Sequence, residues 1–305
     1  LHLSLRRQRQ MCIRDRGNLM QKYLVCLDGS GYSINALENA IKLAEKSGGL
    51  ITMLTVFNID ALGLGPNSSK MSYNNTLNKN IEKLRDYLTS LEETYRSDSY
   101  RIEKLIRIGN VANEIINESQ NHDLVFIGSR GLGAIKRAFL GSSTSKVINN
   151  SETPTLVIKE ATDYKRILVP LDGSRHSKRA LIKANEIGKE FGSELVLLNV
   201  INNVFVPQME TFDLELAMNF SEEARNESKE ILENAKSYIT SYPYKVETLT
   251  VEGDPVTTIL NVAEEEEVDL IAMGSKGMGA ISRAIMGSVS TEVVHKSKVS
   301  VLIYR

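Results

Sequence analysis

Cysteine is almost missing from this 305-residue chain, with Cys12 and Cys26 its only two. That excludes a disulfide framework, and their separation excludes the Cys-x2–4-Cys spacing of a zinc site. Histidine is as sparse: His2, His122, His176 and His295 stand singly, so a catalytic metal held by His and Cys is not expected. No apolar run approaches the ~20 residues that cross a bilayer. The amino end lacks the apolar core of a secretory signal, and the expected location is the cytoplasm. Several signatures are absent as well. There is no Gly-x4-Gly-Lys-[Ser/Thr] phosphate loop and no Gly-x-Ser-x-Gly elbow, and Gly131-Leu-Gly133 continues as Ala-Ile-Lys without the third glycine of the dinucleotide fingerprint. These absences argue against a P-loop NTPase, a serine hydrolase and an NAD enzyme.

What is present is ordinary globular material, 42% hydrophobic and 25% charged. The length is twice a common domain of roughly 150 residues, so two domains are expected. Net charge is −1, unevenly spread: Arg6, Arg7, Arg9, Arg14 and Arg16 against Asp15 give residues 1–16 a net +4 and leave −5 for the rest. A basic arm of this kind could neutralise phosphates of a nucleic acid. It has no period that would pack, however, and it precedes Met20. Residues 1–19 are therefore read as a non-native or disordered leader, and the mildly acidic remainder implies no nucleic-acid surface.

The chain repeats itself. YLVCLDGS at 23–30 returns as ILVPLDGS at 167–174, and GSRGLGAIKRAFLGSSTSKV at 128–147 returns as GSKGMGAISRAIMGSVSTEV at 274–293. The aspartates lie 144 positions apart (28 and 172) and the glycines 146 (128 and 274, 141 and 287). A period this long indicates two tandem domains, 20–160 and 161–305, rather than a solenoid of ~20–50-residue units. The short join near Lys159–Lys165 favours two halves that pack as a pseudo-symmetric pair.

Each half alternates short apolar runs with helical periods. In the first half the strands are placed at Tyr23–Leu27, Leu50–Phe57, Ile102–Ile108, Leu124–Ile127 and Thr155–Ile158, and the helices near Ser33–Lys46, Leu77–Tyr95, Ala112–Ser119 and Ser143–Asn149. Strands separated by helices need crossover connections, and apolar strands are those covered on both faces. Each half is read as an α/β unit with about five parallel strands flanked by helices. The polar stretch Pro66–Asn80 is read as a surface loop or a lid, and Glu264–Glu267 as a solvated helix end.

In such sheets ligands sit beyond the carboxyl ends of the strands, where strand order reverses. Two elements fall there. Asp28 and Asp172 close the first strand of each half. Each is either a turn and capping residue or a group that accepts from an amine or ribose hydroxyl or holds Mg²⁺ against phosphates. The glycines follow the fourth strand with the spacing Gly-x2-Gly-x9-Gly-Ser: Gly128, Gly131, Gly141-Ser142, and Gly274, Gly277, Gly287-Ser288. The first two of each set let the main chain turn and approach a ligand without a Cβ in the way. The third opens a helix whose free N–H groups and positive dipole end suit an anion. Ser142, Ser143, Thr144, Ser288 and Ser290 add hydroxyl donors. Arg130 and Lys276 either balance phosphate charge or lie on a solvated surface. Val56 and Val200 form an apolar wall for a planar base or simply fill the core.

At these residues the chain resembles a tandem universal stress protein over nearly all of 20–305, and is similar to the ATP-binding members of that family. The resemblance implies two Rossmann-like domains of the adenine nucleotide alpha hydrolase type. It implies that ATP, or AMP or ADP, is held by Asp28, Val56, Ile127, Gly128, Arg130, Gly131, Gly141, Ser142, Ser143 and Thr144. The second half supplies Asp172, Val200, Met273, Gly274, Lys276, Gly277, Gly287, Ser288, Val289 and Ser290; Mg²⁺ at Asp28 and Asp172 stays one of the alternatives for those carboxylates. One departure is Cys26 where the family often has the proline kept at Pro170, which suggests a looser exit from the first strand. The family also implies pairing through the last strand, met here largely within the chain, with a homodimer and a client protein as further partners. Three functional classes follow: a nucleotide-dependent binding module, a slow ATPase or nucleotidyl-transfer enzyme, and a dimerising scaffold with empty crevices. Glycines retained in both halves favour the first.

Overall fold

The computed structural model describes residues 20–58, 70–131, 140–202, 214–277 and 286–305. The proposed leader 1–19 lies outside them. The first half runs β1 (Lys22–Cys26), α1 (Gly31–Ser47), β2 (Leu50–Phe57), α2 (Lys70–Thr94), β3 (Arg101–Ile108), α3 (Val111–Ser119), β4 (Leu124–Gly128), α4 (Ser142–Asn150), β5 (Thr155–Ile158). The second half repeats the order with β6 (Arg166–Pro170), α5 (Arg175–Phe191), β7 (Glu194–Ile201), α6 (Leu214–Ser237), β8 (Val246–Glu252), α7 (Pro255–Glu265), β9 (Leu270–Gly274), α8 (Ser288–Lys296) and β10 (Ser300–Tyr304).

The two five-stranded parallel sheets expected from the sequence are fused into one of ten strands, ordered β3-β2-β1-β4-β5-β10-β9-β6-β7-β8. Strands within each half are parallel, and the halves meet where β5 and β10 pair antiparallel, Leu156 opposite Leu302 and Val157 opposite Val301. All four of these side chains are buried. The last strand of each half would otherwise be an open apolar edge, and pairing covers it. The outer edges are different. Nearly all of β3 and β8 remains at least partly exposed, with Arg101, Glu103, Lys104 and Arg107 along β3, so Ile102–Ile108 is a charged edge strand and not one covered on both faces.

Helices cover both faces. The core between the sheet and α1, α2, α5 and α6 runs unbroken through both halves, and the opposite face packs α3, α4, α7 and α8. The join is part of this packing. Tyr164 is fully buried against the Phe191 ring, 4.8 Å between centroids, and the Thr162 carbonyl accepts from Lys42 Nζ at 2.8 Å.

The stretch Pro66–Asn80 corrects the loop expectation in part: from Lys70 onward it belongs to α2, and 59–69 lies outside the described residues. Leu77, Ile81, Leu84, Leu88 and Leu91 recur at three- and four-residue spacing in a segment free of Gly and Pro. That period supports a helix whose polar first turns extend beyond the apolar stripe. Among the described residues, no helix is long and apolar enough to cross a membrane.

Candidate functional site

Strand order reverses between β1 and β4 in the first half and between β6 and β9 in the second, so chain departs to opposite sides at those two carboxyl ends. A cavity opens at each, about 460 Å³ and about 440 Å³. Both volumes lie in the ~300–1,000 Å³ range of small-molecule sites. All ten residues named in the first half line the first cavity, and all ten in the second half line the second. Leu54, Val111, Ile115 and Leu140 also line the first, and Leu198, Pro255 and Ile259 the second. The sequence reading did not single these out. Leu54 and Leu198 lie in the second strand of each half, Val111, Ile115, Pro255 and Ile259 in the first turns of the helix after the third strand, and Leu140 just before Gly141; nearness to the switch point is the signal that could have found them.

One end of each cavity is apolar and the other is rich in donors. At the polar end, α4 and α8 begin at Gly141 and Gly287, which offer no side-chain cap. Four other helices carry a side-chain cap: Ser30 accepts from Ser33 N–H, Asn110 from Asn113 N–H, Ser174 from Ser177 N–H and Asp254 from Thr257 N–H. The amides opening α4 and α8 are therefore left for another acceptor, and the helix dipole adds positive potential there.

The aspartates are set by local turns. Asp28 Oδ1 accepts from Ser30 N–H and Asp172 Oδ1 from Ser174 N–H, each at 3.0 Å. Their Oδ2 atoms lean on the glycine loop. A Cβ on Gly131 would lie 2.5 Å from Asp28 Oδ2, and one on Gly277 2.8 Å from Asp172 Oδ2. Only a bare Cα permits that approach. Ser30 and Ser174 add a tie across the crevice by donating to the carbonyls of Arg130 and Lys276 at 3.4 and 3.3 Å.

Three expectations are corrected. The missing Cβ of Gly128 faces Tyr32 of α1, whose backbone C would lie 2.9 Å away, and that of Gly274 faces the His176 backbone C at 2.6 Å. Both glycines border the cavities, but their bareness lets a helix pack on the strand end. The hydroxyls of Thr144 and Ser290 are likewise used within the loop. Thr144 donates to the Gly128 carbonyl at 3.0 Å and Ser290 to the Ser275 carbonyl at 2.9 Å, both buried. Cys26 does not loosen its strand: Leu27 N–H donates to the Leu54 carbonyl at 2.8 Å, as Leu171 N–H does to Leu198 at 2.7 Å. Burial, then the Asp28 charge, pushes the Cys26 thiol far above its usual range.

Cations gather at the polar ends. Arg130 donates to the Tyr32 hydroxyl at 2.8 Å and its guanidinium lies 5.3 Å from that ring's centre. Beside it, Lys159 is pushed down to about 8 by burial and then by Arg130. The equivalent pair is Lys276 and Arg305, where burial and then Arg305 lower the lysine. Lys159 and Arg305 share the 146-residue offset, the signal by which the sequence could have revealed them. Among the described residues, no three His, Cys, Asp or Glu side chains gather to hold a metal. A divalent ion here would need anionic oxygens from a ligand besides the single carboxylate.

A family model for the universal stress protein family matches residues 20–159 and again 163–305. The chain is similar to the universal stress protein YxiE of Bacillus subtilis, 37% identical over 147 residues that cover 47% of this chain and 99% of that one. It is also similar to the universal stress protein MJ0577 of Methanocaldococcus jannaschii, 32% identical over 47% of this chain and 95% of the relative. A solved universal stress protein of Archaeoglobus fulgidus superposes with a TM-score of 0.64 at 25% identity, covering 93% of this chain and 98% of the other.

Proposed function

The chain belongs to the universal stress protein family through both of its halves, and from that premise we propose that it is an ATP-binding module of the stress response, acting in the cytoplasm. Each crevice holds one adenine nucleotide. The apolar end formed by Val56, Leu54 and Ile115, or by Val200, Leu198 and Ile259, takes the base, and Asp28 or Asp172 accepts from its amine or from the ribose. The loop from Gly128 to Gly131, the opening amides of α4 and the Arg130 cation take the phosphates, as Gly274 to Gly277, α8 and Lys276 do in the second half. Mg²⁺, when bound, neutralises phosphate charge, with Asp28 or Asp172 as its one protein carboxylate. Occupancy would then alter how the chain pairs with a second copy or meets a client.

The observation that supports this most is the pair of uncapped helix starts, each opening on a cavity at a strand-order switch point. A thermal shift tests it. A ligand confined to the folded state stabilises by RT ln(1 + [L]/Kd), about 2.7 kcal/mol at a hundredfold excess over Kd. ATP with Mg²⁺ should raise the melting temperature of the parent chain and leave the Gly131→Val, Gly277→Val double variant unmoved. An equal shift in both would refute the loop assignment. Phosphate release slower than roughly one per minute is expected of a holding module, against ~10 s⁻¹ for a typical enzyme.

A further inference from the structure

We propose that the two crevices rank nucleotides differently: the first-half crevice is the triphosphate site, whereas the second reads mainly the adenosine end and gains little from the outer phosphates. The inference rests on the nucleotide reading above and concerns how its two sites divide. Size does not separate them, since the cavities measure about 460 and 440 Å³. The residues assigned to the base are of the same types, Leu54, Val56 and Ile115 in the first and Leu198, Val200 and Ile259 in the second, with Cys26, Val111 and Ile127 exchanged for the apolar Pro170, Pro255 and Met273.

The polar ends differ in chemistry. The second residue of α4 is Ser143, which lines the first cavity and is partly exposed. Its counterpart on α8 is Val289, which lines the second cavity and packs against the apolar core. A phosphate oxygen at the first helix gains a hydroxyl donor beside the opening amides. At the second it meets methyl groups that strip water and return no hydrogen bond. Thr144 and Ser290 cannot compensate, because each already donates to a loop carbonyl. The cations extend the contrast. Arg130 presents a planar fork oriented by the Tyr32 hydroxyl and ring, suited to paired phosphate oxygens. Lys276 is a compact charge, 7% exposed, packed near His176 where the first half has Tyr32, and the Arg305 beside it donates to the Asn149 carbonyl and does not line the cavity. A hydrogen bond to a charged group is worth roughly tenfold or more in affinity, which sets the expected gap between the sites for ATP.

Calorimetric titration of the full, nucleotide-stripped chain with ATP, AMP and adenosine tests the ranking. The expected result is two classes of ATP site at least about tenfold apart, with adenosine separating the two sites far less than ATP does. Val289→Ser should raise the weaker ATP class toward the stronger, and Ser143→Val should lower the stronger toward the weaker. The valine-to-serine gain cannot arise from a folding defect. A single class of two equal ATP sites would overturn the ranking, as would swaps that leave ATP binding unchanged or shift adenosine as much as ATP. Absence of heat from all three ligands would instead refute nucleotide binding itself.

Discussion

Gly128→Ala and Gly274→Ala each add one methyl group where a strand end meets the start of a helix. At Gly128 the new Cβ would stand 2.9 Å from the Tyr32 backbone C and side-chain Cβ. At Gly274 it would stand 2.6 Å from the His176 backbone C and 2.7 Å from the Ser177 N. These are main-chain atoms, or a Cβ fixed directly to the main chain, near a helix start, so relief requires moving α1 or α5 rather than turning a rotamer. Overpacking costs about 1–3 kcal/mol, and the closer approach puts Gly274 near the upper end and Gly128 near the lower. Removing glycine also stiffens the unfolded chain, which offsets about 0.4–1 kcal/mol. The net destabilisation is then about 2 kcal/mol for Gly274→Ala and about 0.5 kcal/mol for Gly128→Ala. At ~2–4 °C per kcal/mol, melting should fall by about 4–8 °C and 1–2 °C. Urea unfolding followed by circular dichroism reads both. Equal costs, or a more costly Gly128 variant, would refute the assignment of these glycines to helix packing.

Three further outcomes are expected. Thr144→Val should destabilise by about 1–3 kcal/mol in the same urea assay, because the Gly128 carbonyl loses the hydroxyl that donates to it. Arg166 at the head of β6 pairs with Glu194, Glu247 and Glu266, and the Glu247 carboxyl is held below its usual range by the hydrogen bond from Lys245. A carboxylate depressed in this way adds stability that is present above the ordinary glutamate range and disappears as pH falls through its lowered value. Arg166→Met should therefore destabilise the chain at pH 7 and do so less as pH falls below the ordinary glutamate range and the Glu247 carboxylate protonates; a pH-independent cost would contradict this. Cys26 lines the first cavity, is 8% exposed and keeps its proton, so a maleimide should label it slowly. Saturating ATP should slow that labelling further, read by peptide mass spectrometry, and an unchanged rate would count against base binding beside Cys26.

Much of this arrangement was legible because two different signals agreed. Continuous runs such as Leu50–Phe57 and Thr155–Ile158 became β2 and β5 with those bounds, since a central parallel strand is apolar on both faces. The duplication then transferred every element of one half to the other. The edge strand β3 was harder to read, because its alternation of Ile with Arg, Glu and Lys belongs to a sheet border and not to an interior. Roles inside the glycine loop were the least legible. Spacing placed Gly128, Thr144 and Ser290 at the crevice, but the direction of a missing Cβ and the carbonyl chosen by a hydroxyl are properties of three-dimensional packing. Lys159 and Arg305 escaped notice for a related reason: they follow the last strand of each half, far in sequence from the loop cations they neighbour.

The central claim is that two crevices per chain hold adenine nucleotide. Equilibrium dialysis of the stripped, full-length chain against labelled ATP and Mg²⁺ tests it most directly. The account expects saturation at two ATP per chain, falling to one in Gly131→Val or Gly277→Val alone and to none in the double variant. Retention of no ATP by the parent chain at millimolar concentration, or undiminished retention by the double variant, would contradict it.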